Sequence, residues 1–400
     1  MRAVFVNHCH PDTPHVCAVR VREFATTLAN QGHRILLLTE TLDADDTGVR
    51  QEELAERLET YDWSEPFRLA CPPAGGKVLR RQRSNGLPRL ASKAIVAGSY
   101  FATGSVFGDW GRGVRRYLPE LIEAFEPEIV WASFGNTECY RIARWISKRA
   151  GCNWVADVKD YWGSFIPPGL RGHLARRLLG GAAAMTALSR GHIDDIVPFA
   201  PRRLTEAATV VYSGVADSLL SNACEPGPDP GRVTLTGAIY SLRDLTRLIE
   251  GFALAGRPLT IDYAGHQGAE VKNCATAFQG QIEVVDHGYL PLDRLHALQC
   301  NAVANAFVRS GPGWFQHKLP ELLTARRPII CLPDAEPESE KMAVDLGVPF
   351  HSCKSPADVA RALEGADAAP VAPVDSRTLV SLTWTSRAEA LISVLIANCR

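Results

Sequence analysis

Short apolar runs alternate with helical patterns along almost the whole chain, and this alternation constrains the fold more than any other feature. The runs lie at 3–6, 35–38, 128–131, 154–156, 184–188, 209–212, 233–236, 260–263, 282–285, 302–308 and 329–332, and helical patterns cover 20–29, 139–148 and 244–255. Continuous apolar runs suit strands that are buried on both faces, as in parallel sheets covered by helices. The pattern therefore predicts parallel βαβ units in an α/β protein.

Residues 216–231 break the alternation with a segment rich in Pro, Gly and small polar residues. Such a segment is typical of an interdomain linker. A chain of 400 residues also exceeds what one hydrophobic core usually holds. We therefore predict two doubly wound, Rossmann-like domains, over 1–215 and 232–378, joined by this linker.

Composition excludes several classes of protein. The net charge of −1, from 43 basic and 44 acidic residues, argues against a nucleic-acid partner. The 11 cysteines are scattered without a C-x-x-C pair, which favours free thiols in a reducing compartment over zinc or redox motifs. The chain enters its first apolar run directly, and no run approaches the roughly 18 apolar residues of a membrane span. We expect a cytoplasmic protein without signal peptide, metal or cofactor.

Ligands of open parallel sheets bind beyond the carboxyl ends of the strands, so the residues that follow the apolar runs are the candidates for binding. In the first domain these are His8, His10, Asp12, Asn136 and Asp160. In the second domain they are Gly237, Arg243, Gly265, His266 and Tyr289.

The segment from His317 to Asp334 carries Lys318 and Glu321, three residues apart on a predicted helix. Residues at i and i+3 share one face of a helix. The preceding loop contains Gly311 and Gly313, whose backbone N–H groups can approach an anion at the helix N-terminus, which we expect at Gly313. A phosphate-binding site with one cation and one carboxylate fits this pattern, and so does an amphipathic surface helix with an incidental Lys/Glu pair.

Further segments, in this order and spacing, resemble the family 4 retaining glycosyltransferases of the GT-B fold. The segments are GHRILLLTE (32–40), VWASFGN (130–136), VADVKDYW (155–162), MTALSRG (185–191), VVYSGVAD (210–217), LTGAIYSLRDLTRLIEGF (235–252) and LTWTSRAEALISVL (382–395). The resemblance implies two Rossmann-like domains facing across a cleft and a nucleotide-diphosphate sugar bound by the second domain. It also implies a final helix, within 379–400 and headed by Trp384, that crosses back to the first domain.

The same resemblance assigns roles to residues. Glu321 would hydrogen-bond the ribose hydroxyls of the donor, and Arg243 and Lys318 would contact its diphosphate and stabilise the leaving group without a metal. Gly237, Gly265, His266, Tyr289, Gly311 and Gly313 would complete the donor side. One departure is Gly313 itself, which stands where the family commonly has the first glutamate of an E-x7-E motif.

On the first domain, His8, His10 and His15 fall in one loop, but their spacing is not that of a helical zinc site. We expect His8, His10 and Asp12 to line an acceptor site or simply to be solvated. Asn136 is placed on the same acceptor side. Asp160 is expected either to contact the acceptor or to orient its loop.

The segment Lys77–Lys93 has six basic residues and no acidic one. A solvated surface is the usual meaning of such a run. Because Val78, Leu79, Leu87 and Leu90 interleave with the charges, the segment also suits an anionic membrane surface. We expect peripheral contact with the inner face of a membrane and a glycan, lipid-linked or small-molecule acceptor.

Two other functions remain open at this point. A sugar-nucleotide 2-epimerase of the same fold would use acidic and histidine side chains such as His8, His10 and Asp12 for acid–base work. A non-catalytic protein that binds a glycan or a partner would explain the glycine at position 313. The presence of Arg243, Lys318 and Glu321 together favours a hexosyltransferase-like enzyme.

Overall fold

The computed structural model describes residues 1–13, 15–42, 48–84, 86–221, 228–309, 315–368 and 376–399. The chain divides into two units: Met1–Tyr212 with Arg387–Arg400, and Ser213–Ser386. Trp384 is the first residue of the last helix, as the resemblance implies, and this helix belongs to unit 1 from Arg387 onward. Within unit 1, the side-chain amide of Asn153 donates a hydrogen bond to the carbonyl of Asn398, at 3.0 Å.

Unit 1 contains a parallel sheet of seven strands in the order β3-β2-β1-β4-β5-β6-β7. The strands are β1 (Arg2–Val6), β2 (Arg34–Glu40), β3 (Phe67–Cys71), β4 (Ile129–Ser133), β5 (Asn153–Val158), β6 (Ala184–Ala187) and β7 (Thr209–Val210). The strand order reverses between β1 and β4, so the connections that follow these two strands run to opposite faces of the sheet. Such a reversal creates a crevice at the carboxyl edge.

Unit 2 repeats this architecture with six parallel strands in the order β10-β9-β8-β11-β12-β13. The strands are β8 (Asp229–Thr236), β9 (Leu259–Ala264), β10 (Ile282–Asp286), β11 (Ala302–Val308), β12 (Ile329–Leu332) and β13 (Phe350–Ser352). Here the order reverses between β8 and β11. Two Rossmann-like α/β domains are thus confirmed.

Helices connect the strands of both sheets. Those before residue 213 are α1 (Val16–Asn30), α2 (Leu54–Thr60), α3 (Lys77–Arg83), α4 (Arg89–Thr103), α5 (Gly108–Phe125), α6 (Thr137–Ala150), α7 (Trp162–Phe165), α8 (Arg171–Leu179), α9 (Arg190–Ile196) and α10 (Arg202–Glu206). The others are α11 (Ser218–Ser221), α12 (Leu242–Leu254), α13 (Gly268–Ala275), α14 (Leu292–Asn301), α15 (Leu319–Thr324), α16 (Pro337–Asp345), α17 (Pro356–Ala368), α18 (Ser376–Val380) and α19 (Trp384–Ala397). Within the described residues, no helix is both long and apolar enough to cross a membrane.

The linker predicted for 216–231 differs from the structure at both ends. Ser218–Ser221 form α11, and Asp229–Gly231 are the first residues of β8, while 222–227 lie outside the described residues. The strand begins earlier than its apolar run because Asp229 pairs with Ala302 of β11. Pro230 is compatible with this, since proline is tolerated near the start of a strand.

The cysteines also differ in part from expectation. Nine of those that the structure describes are free thiols. Cys300, by contrast, is disulfide-bonded. The expectation of free thiols is therefore wrong for Cys300.

Candidate functional site

Lys318 lies where the strand order of the second sheet reverses. Its Nζ donates a hydrogen bond to the carbonyl of Thr236, the last residue of β8, at 2.5 Å. The same Nζ lies 5.5 Å from the centre of the Phe307 ring, on the neighbouring strand β11. The ammonium group is thus held between the ends of the two strands that flank the crevice, the position in which doubly wound sheets bind phosphates.

The backbone beside Lys318 requires glycine at two positions. Gly237 follows β8 with φ +85°, and a Cβ there would lie 3.2 Å from Lys318 Nζ. Gly265 follows β9, and a Cβ there would lie 2.3 Å from the Tyr263 hydroxyl. That hydroxyl donates a hydrogen bond to the carbonyl of Gly237, at 2.9 Å. Gly237 and Gly265, both predicted on the donor side, are therefore adjacent parts of one tightly packed edge.

Gln267 holds the loop between β8 and α12 in place. Its Oε1 accepts a hydrogen bond from the Ile239 N–H at 2.7 Å, and its Nε2 donates to the Ile239 carbonyl at 3.0 Å. The Gln267 N–H in turn donates to the Tyr263 hydroxyl, at 3.2 Å. No sequence pattern indicated Gln267 or Tyr263, because both side chains bond to backbone groups that are distant in the chain.

Glu321 lies in the first turn of α15, three residues after Lys318. Burial raises the pKa of the Glu321 carboxyl to about 7, although the charge of Lys318 acts in the opposite direction. Burial likewise lowers the pKa of Lys318 to about 8. Among the described residues, none donates a hydrogen bond to the Glu321 carboxylate. A half-buried carboxylate without a protein partner is suited to accept hydrogen bonds from a ligand.

The helix that carries Glu321 begins later than predicted. It starts at Leu319, with Lys318 as its N-cap, and has six residues. The expectation of a helix N-terminus at Gly313 is therefore wrong, because 315–318 form a loop and turn before the helix. Gly311 and Gly313 themselves lie outside the described residues.

His266 and Tyr289 lie together at the same edge, after β9 and β10. Their rings are nearly parallel, with an interplanar angle of 13° and centroids 6.4 Å apart. The Tyr289 side chain is 68% exposed, and His266 is also exposed. Both residues therefore present aromatic surface on which a flat base can stack.

Arg243 is the second residue of α12, directly after the loop held by Gln267. Its side chain is exposed. In the described part of the chain, no contact joins the Arg243 guanidinium to Lys318 or Glu321. The structure thus brings Gly237, Gly265 and Lys318 into direct contact and places Arg243 at the start of the adjoining helix.

In unit 1 the predicted acceptor-side residues of the first loop are engaged with other protein groups. His8 Nε2 lies 3.3 Å from Cys9 Sγ, and burial lowers the pKa of His8 to about 4. His10 Nδ1 accepts a hydrogen bond from the Asp12 N–H, at 3.3 Å. The Asp12 carboxylate forms an ion pair with Arg68, at 3.3 Å.

Asn136 and the acidic residues after β5 are similarly occupied. Asn136 is the N-cap of α6, and its Oδ1 accepts from the Glu138 N–H at 2.9 Å. Asp160 pairs with the buried Lys159, and burial raises the pKa of the Asp160 carboxyl. Asp157 is fully buried and pairs with Arg20 at 3.1 Å. The Asn136 Oδ1 and the two aspartates therefore have structural roles, whereas the Asn136 Nδ2 is buried without a hydrogen-bond partner among the described residues.

The structure adds a cluster to this loop that the sequence did not suggest. Cys9, His15 and Cys17 have potential ligand atoms that all lie within 4.8 Å of one another. Lys159 Nζ lies 2.5 Å from Cys17 Sγ. The cluster lies at the N-terminus of α1, where His15 is the N-cap.

The basic segment Lys77–Lys93 forms α3 and the first turn of α4. Arg83 differs from its predicted role as a surface cation, because it forms an ion pair with Asp109 at 2.8 Å and a second with Glu40. The helix α4 exposes two large apolar side chains: Leu90 is 82% exposed and Phe101 is 84% exposed.

No protein-family model and no curated protein matches the sequence of the chain. Among solved structures, the chain is similar to Anabaena HepE in complex with UDP, with a TM-score of 0.66, 13% identity, and coverage of 99% of this chain and 100% of that one. It is similar to an α,α-trehalose-phosphate synthase from Burkholderia vietnamiensis (TM-score 0.64, 11% identity, 99% and 100% coverage). A third is the lipopolysaccharide outer core galactosyltransferase WaaB (TM-score 0.61, 13% identity, 99% coverage of both). At these identities the likeness concerns the fold, and the GT-B fold expected from the sequence is confirmed.

Proposed function

We propose that this chain is a retaining glycosyltransferase that takes its sugar from a nucleotide-diphosphate donor bound at the carboxyl edge of the second sheet. The observation that carries the proposal is the position of Lys318, whose Nζ is held on the Thr236 carbonyl at the reversal of strand order. Glu321, three residues further on, has a carboxylate to which no described residue donates. In a nucleotide-diphosphate sugar, the diphosphate would bind the fixed cation and the ribose hydroxyls would donate hydrogen bonds to the carboxylate.

The proposed chemistry is stabilisation of the leaving group. When the bond between the anomeric carbon and the diphosphate breaks, negative charge develops on the phosphate oxygens. Lys318 is already fixed in place by its hydrogen bond to Thr236, so it stabilises this charge with little reorganisation. Arg243, exposed at the start of α12, adds a second cation. In this proposal the two side chains perform the task for which other transferases use a metal ion.

The nucleoside would be bound by the remaining donor-side residues. The Glu321 carboxylate accepts hydrogen bonds from two neighbouring ribose hydroxyls, and the base stacks on the exposed ring of Tyr289 or His266. HepE structures contain UDP, UDP with glucose, or UDP-glucose. We therefore propose a uridine nucleotide as the first donor to test.

The test is binding followed by product analysis. UDP-glucose, UDP-N-acetylglucosamine, GDP-mannose and ADP-glucose are titrated calorimetrically in the presence of EDTA, and the products with candidate acceptors are examined by NMR. A retained anomeric configuration without metal is expected. An inverted product, or turnover that requires Mn²⁺ or Mg²⁺, contradicts the mechanism, and binding without any turnover favours the non-catalytic function.

A second candidate function is sugar-nucleotide 2-epimerisation. One similar structure is from Listeria monocytogenes, a protein named as a UDP-N-acetylglucosamine 2-epimerase (TM-score 0.56, 11% identity, 99% and 95% coverage). The acid–base groups that the sequence offered for this reaction are Asp12, paired with Arg68, and His8, buried against Cys9. Incubation with UDP-N-acetylglucosamine in D₂O decides between the two: deuterium at C2 of the sugar indicates the epimerase.

For the acceptor, we propose a lipid-linked molecule reached from an anionic membrane surface. The exposed face of α4 carries Leu90, Ala94, Ala97 and Phe101, at the spacing of one helical stripe. No acidic residue occurs between 77 and 103, and exposed cations such as Arg81 and Lys93 lie nearby. Apolar side chains flanked by cations match a bilayer that contains anionic lipids.

Vesicle co-sedimentation tests this contact. Wild-type protein is expected to bind phosphatidylglycerol vesicles at low salt and to be released as salt rises. The double variant Leu90→Ser/Phe101→Ser should lose most of this binding. A matched control is Val344→Ser, which changes an equally exposed apolar residue of unit 2. If wild-type protein ignores these vesicles at low salt, a soluble acceptor replaces the lipid-linked one.

A further inference from the structure

The loop between β1 and α1 brings two thiols and a buried lysine together. Cys9 is half-buried and Cys17 is 3% exposed, and their sulfur atoms lie within 4.8 Å of each other. Lys159, at the end of β5, places its Nζ 2.5 Å from Cys17 Sγ. None of the roles proposed for donor binding or sugar transfer uses these three side chains.

The surroundings of Cys17 favour the thiolate. The hydrogen bond from the Cys9 thiol and the Lys159 charge lower the pKa of Cys17 well below the ordinary value of a thiol, against the effect of burial. Cys17 is also the second residue of the 15-residue helix α1, where the helix dipole stabilises negative charge. For Cys139 burial is the largest effect and raises the pKa to about 12. Of these two buried cysteines, Cys17 is thus the one that is present as a thiolate.

Cys9 is placed to react with it. The sulfur of Cys9 lies 3.3 Å from His8 Nε2, and burial, which lowers the pKa of His8 to about 4, keeps this imidazole neutral. The hydrogen bond to Cys17 and burial raise the pKa of Cys9, so Cys9 is the thiol of the pair and Cys17 the thiolate. A thiolate with a stabilising lysine and a neighbouring thiol are the groups that disulfide formation needs.

A metal site fits the cluster less well. His15 Nδ1 accepts a hydrogen bond from the Cys17 N–H at 3.2 Å, so the lone pair of Nδ1 is occupied and Nε2 carries the proton of the neutral ring. The Lys159 ammonium also donates a hydrogen bond to the Cys17 sulfur, and its positive charge repels a metal cation. Both contacts would have to break before Cys9, His15 and Cys17 could ligate a metal together.

We propose that Cys9 and Cys17 form a reversible disulfide when the protein meets hydrogen peroxide, which makes this loop an oxidative modification site. The Cys17 thiolate attacks one peroxide oxygen, an S–O bond forms, the O–O bond breaks, and the hydroxide that leaves takes a proton from solvent. Cys9 sulfur then attacks Cys17 sulfur, an S–S bond forms, and the S–O bond breaks. The hydroxide that leaves takes the proton of the Cys9 thiol. The two sulfurs lose two electrons and peroxide becomes two waters.

Oxidation changes the loop that contains the candidate residues His10 and Asp12. In the reduced protein Lys159 contacts both Cys17 and Asp160. The S–S bond removes the negative charge of Cys17, so that Asp160 remains as the charged partner of this lysine. It also joins the loop after β1 to the N-terminus of α1 covalently. This inference does not depend on the proposed transferase function.

The test uses the full-length protein, reduced and then treated with increasing hydrogen peroxide. After free thiols are blocked, digestion and mass spectrometry should find a peptide pair linked through Cys9 and Cys17, lighter by about 2 Da than the two thiols and restored by dithiothreitol. Cys9→Ser and Cys17→Ala should each abolish it. The matched control Cys274→Ser, which removes a half-buried free thiol of unit 2, should form it normally.

Three results would overturn the inference. One is a stable gain of about 16 Da on Cys17, because the sulfenic acid then has no resolving thiol. The second is a disulfide that joins either cysteine to a different partner. The third is an equivalent of Zn²⁺ that stays with the reduced protein after desalting and is lost in Cys9→Ser, which would make the cluster a metal site.

Discussion

The carboxyl edges of the two sheets have the same topology and opposite chemistry. In unit 1, Asp157 is paired with Arg20 and the Asn136 Oδ1 accepts from the backbone of α6, while the Asn136 Nδ2 is the one atom of these two side chains with no partner among the described residues. In unit 2, Glu321 has a carboxylate to which no described residue donates, and Tyr289 is largely exposed. Paired polar groups stabilise the fold, whereas unpaired groups are available to a ligand. We therefore expect substitutions at the first edge to lower stability and substitutions at the second edge to weaken binding.

The largest expected effect is on the stability of unit 1. Asp157→Ala leaves Arg20 buried without its carboxylate, and loss of one partner of a buried pair costs about 3–5 kcal/mol. Urea denaturation should show this loss. The matched control is Asp194→Ala, whose exposed pair with Arg190 should contribute less than about 1 kcal/mol. A stable Asp157→Ala protein that has lost only turnover would instead make Asp157 a catalytic group.

The next effect is on donor binding by unit 2. Glu321→Ala should weaken UDP-glucose binding by about tenfold or more, because hydrogen bonds to a charged group contribute about 1.5–3 kcal/mol. The unfolding midpoint should hardly change. Glu250→Ala, which removes an exposed carboxylate from the middle of α12, is the control and should bind normally. Unchanged affinity in a folded Glu321→Ala variant would show that the Glu321 carboxylate does not bind the donor.

The pH dependence of donor binding tests the roles of Lys318 and Glu321 together. Lys318 is charged below its pKa of about 8, and Glu321 is charged above its pKa of about 7, so both are charged mainly between these values. Calorimetry with UDP-glucose should give the highest affinity there and a fall of about tenfold toward pH 9, where Lys318 is mostly neutral. In Lys318→Gln the affinity should be low at all pH values and the alkaline decline absent. An alkaline decline that persists in this variant would point to another group.

The smallest effect concerns Asn136. Asn136→Ala removes the N-cap of α6 and should lower the free energy of unfolding by about 1 kcal/mol. Asn136→Asp keeps an oxygen that can accept from the Glu138 N–H, so its stability should stay near that of the wild type. If Asn136→Ala keeps its stability but raises the KM for an acceptor, this residue belongs to a binding site after all.

Much of the fold follows from local sequence patterns. The apolar runs at 3–6 and 35–38 lie in β1 and β2, because central strands buried on both faces need continuous apolar sequence. Two edge strands, β3 and β13, carry no such run and were not predicted. Phe67–Cys71 is interrupted by the exposed Arg68, and Phe350–Ser352 has three residues. The other two edge strands, β7 and β10, were predicted from their apolar runs, so the interruption in β3 and the shortness of β13 explain why these two were missed.

The candidate site was predictable in part. Glu321 and Lys318 were found through their spacing and the family resemblance, since the chemistry of a diphosphate and a ribose demands such residue types. Gln267 and Tyr263 were missed because they act on the backbone 28 and 26 residues away, at Ile239 and Gly237. Pairings of this kind depend on the folded topology and leave no local pattern.

The contact between Tyr263 and Gly265 has an evolutionary consequence. The Tyr263 hydroxyl occupies the space that a Cβ at position 265 would need, 2.3 Å away, while it bonds to the Gly237 carbonyl. The Gly237 carbonyl itself lies 2.9 Å from the same Cβ, so a shorter residue at 263 would remove only one of the two obstacles. Homologues that keep this backbone should therefore keep glycine at 265 even where the tyrosine at 263 has been replaced.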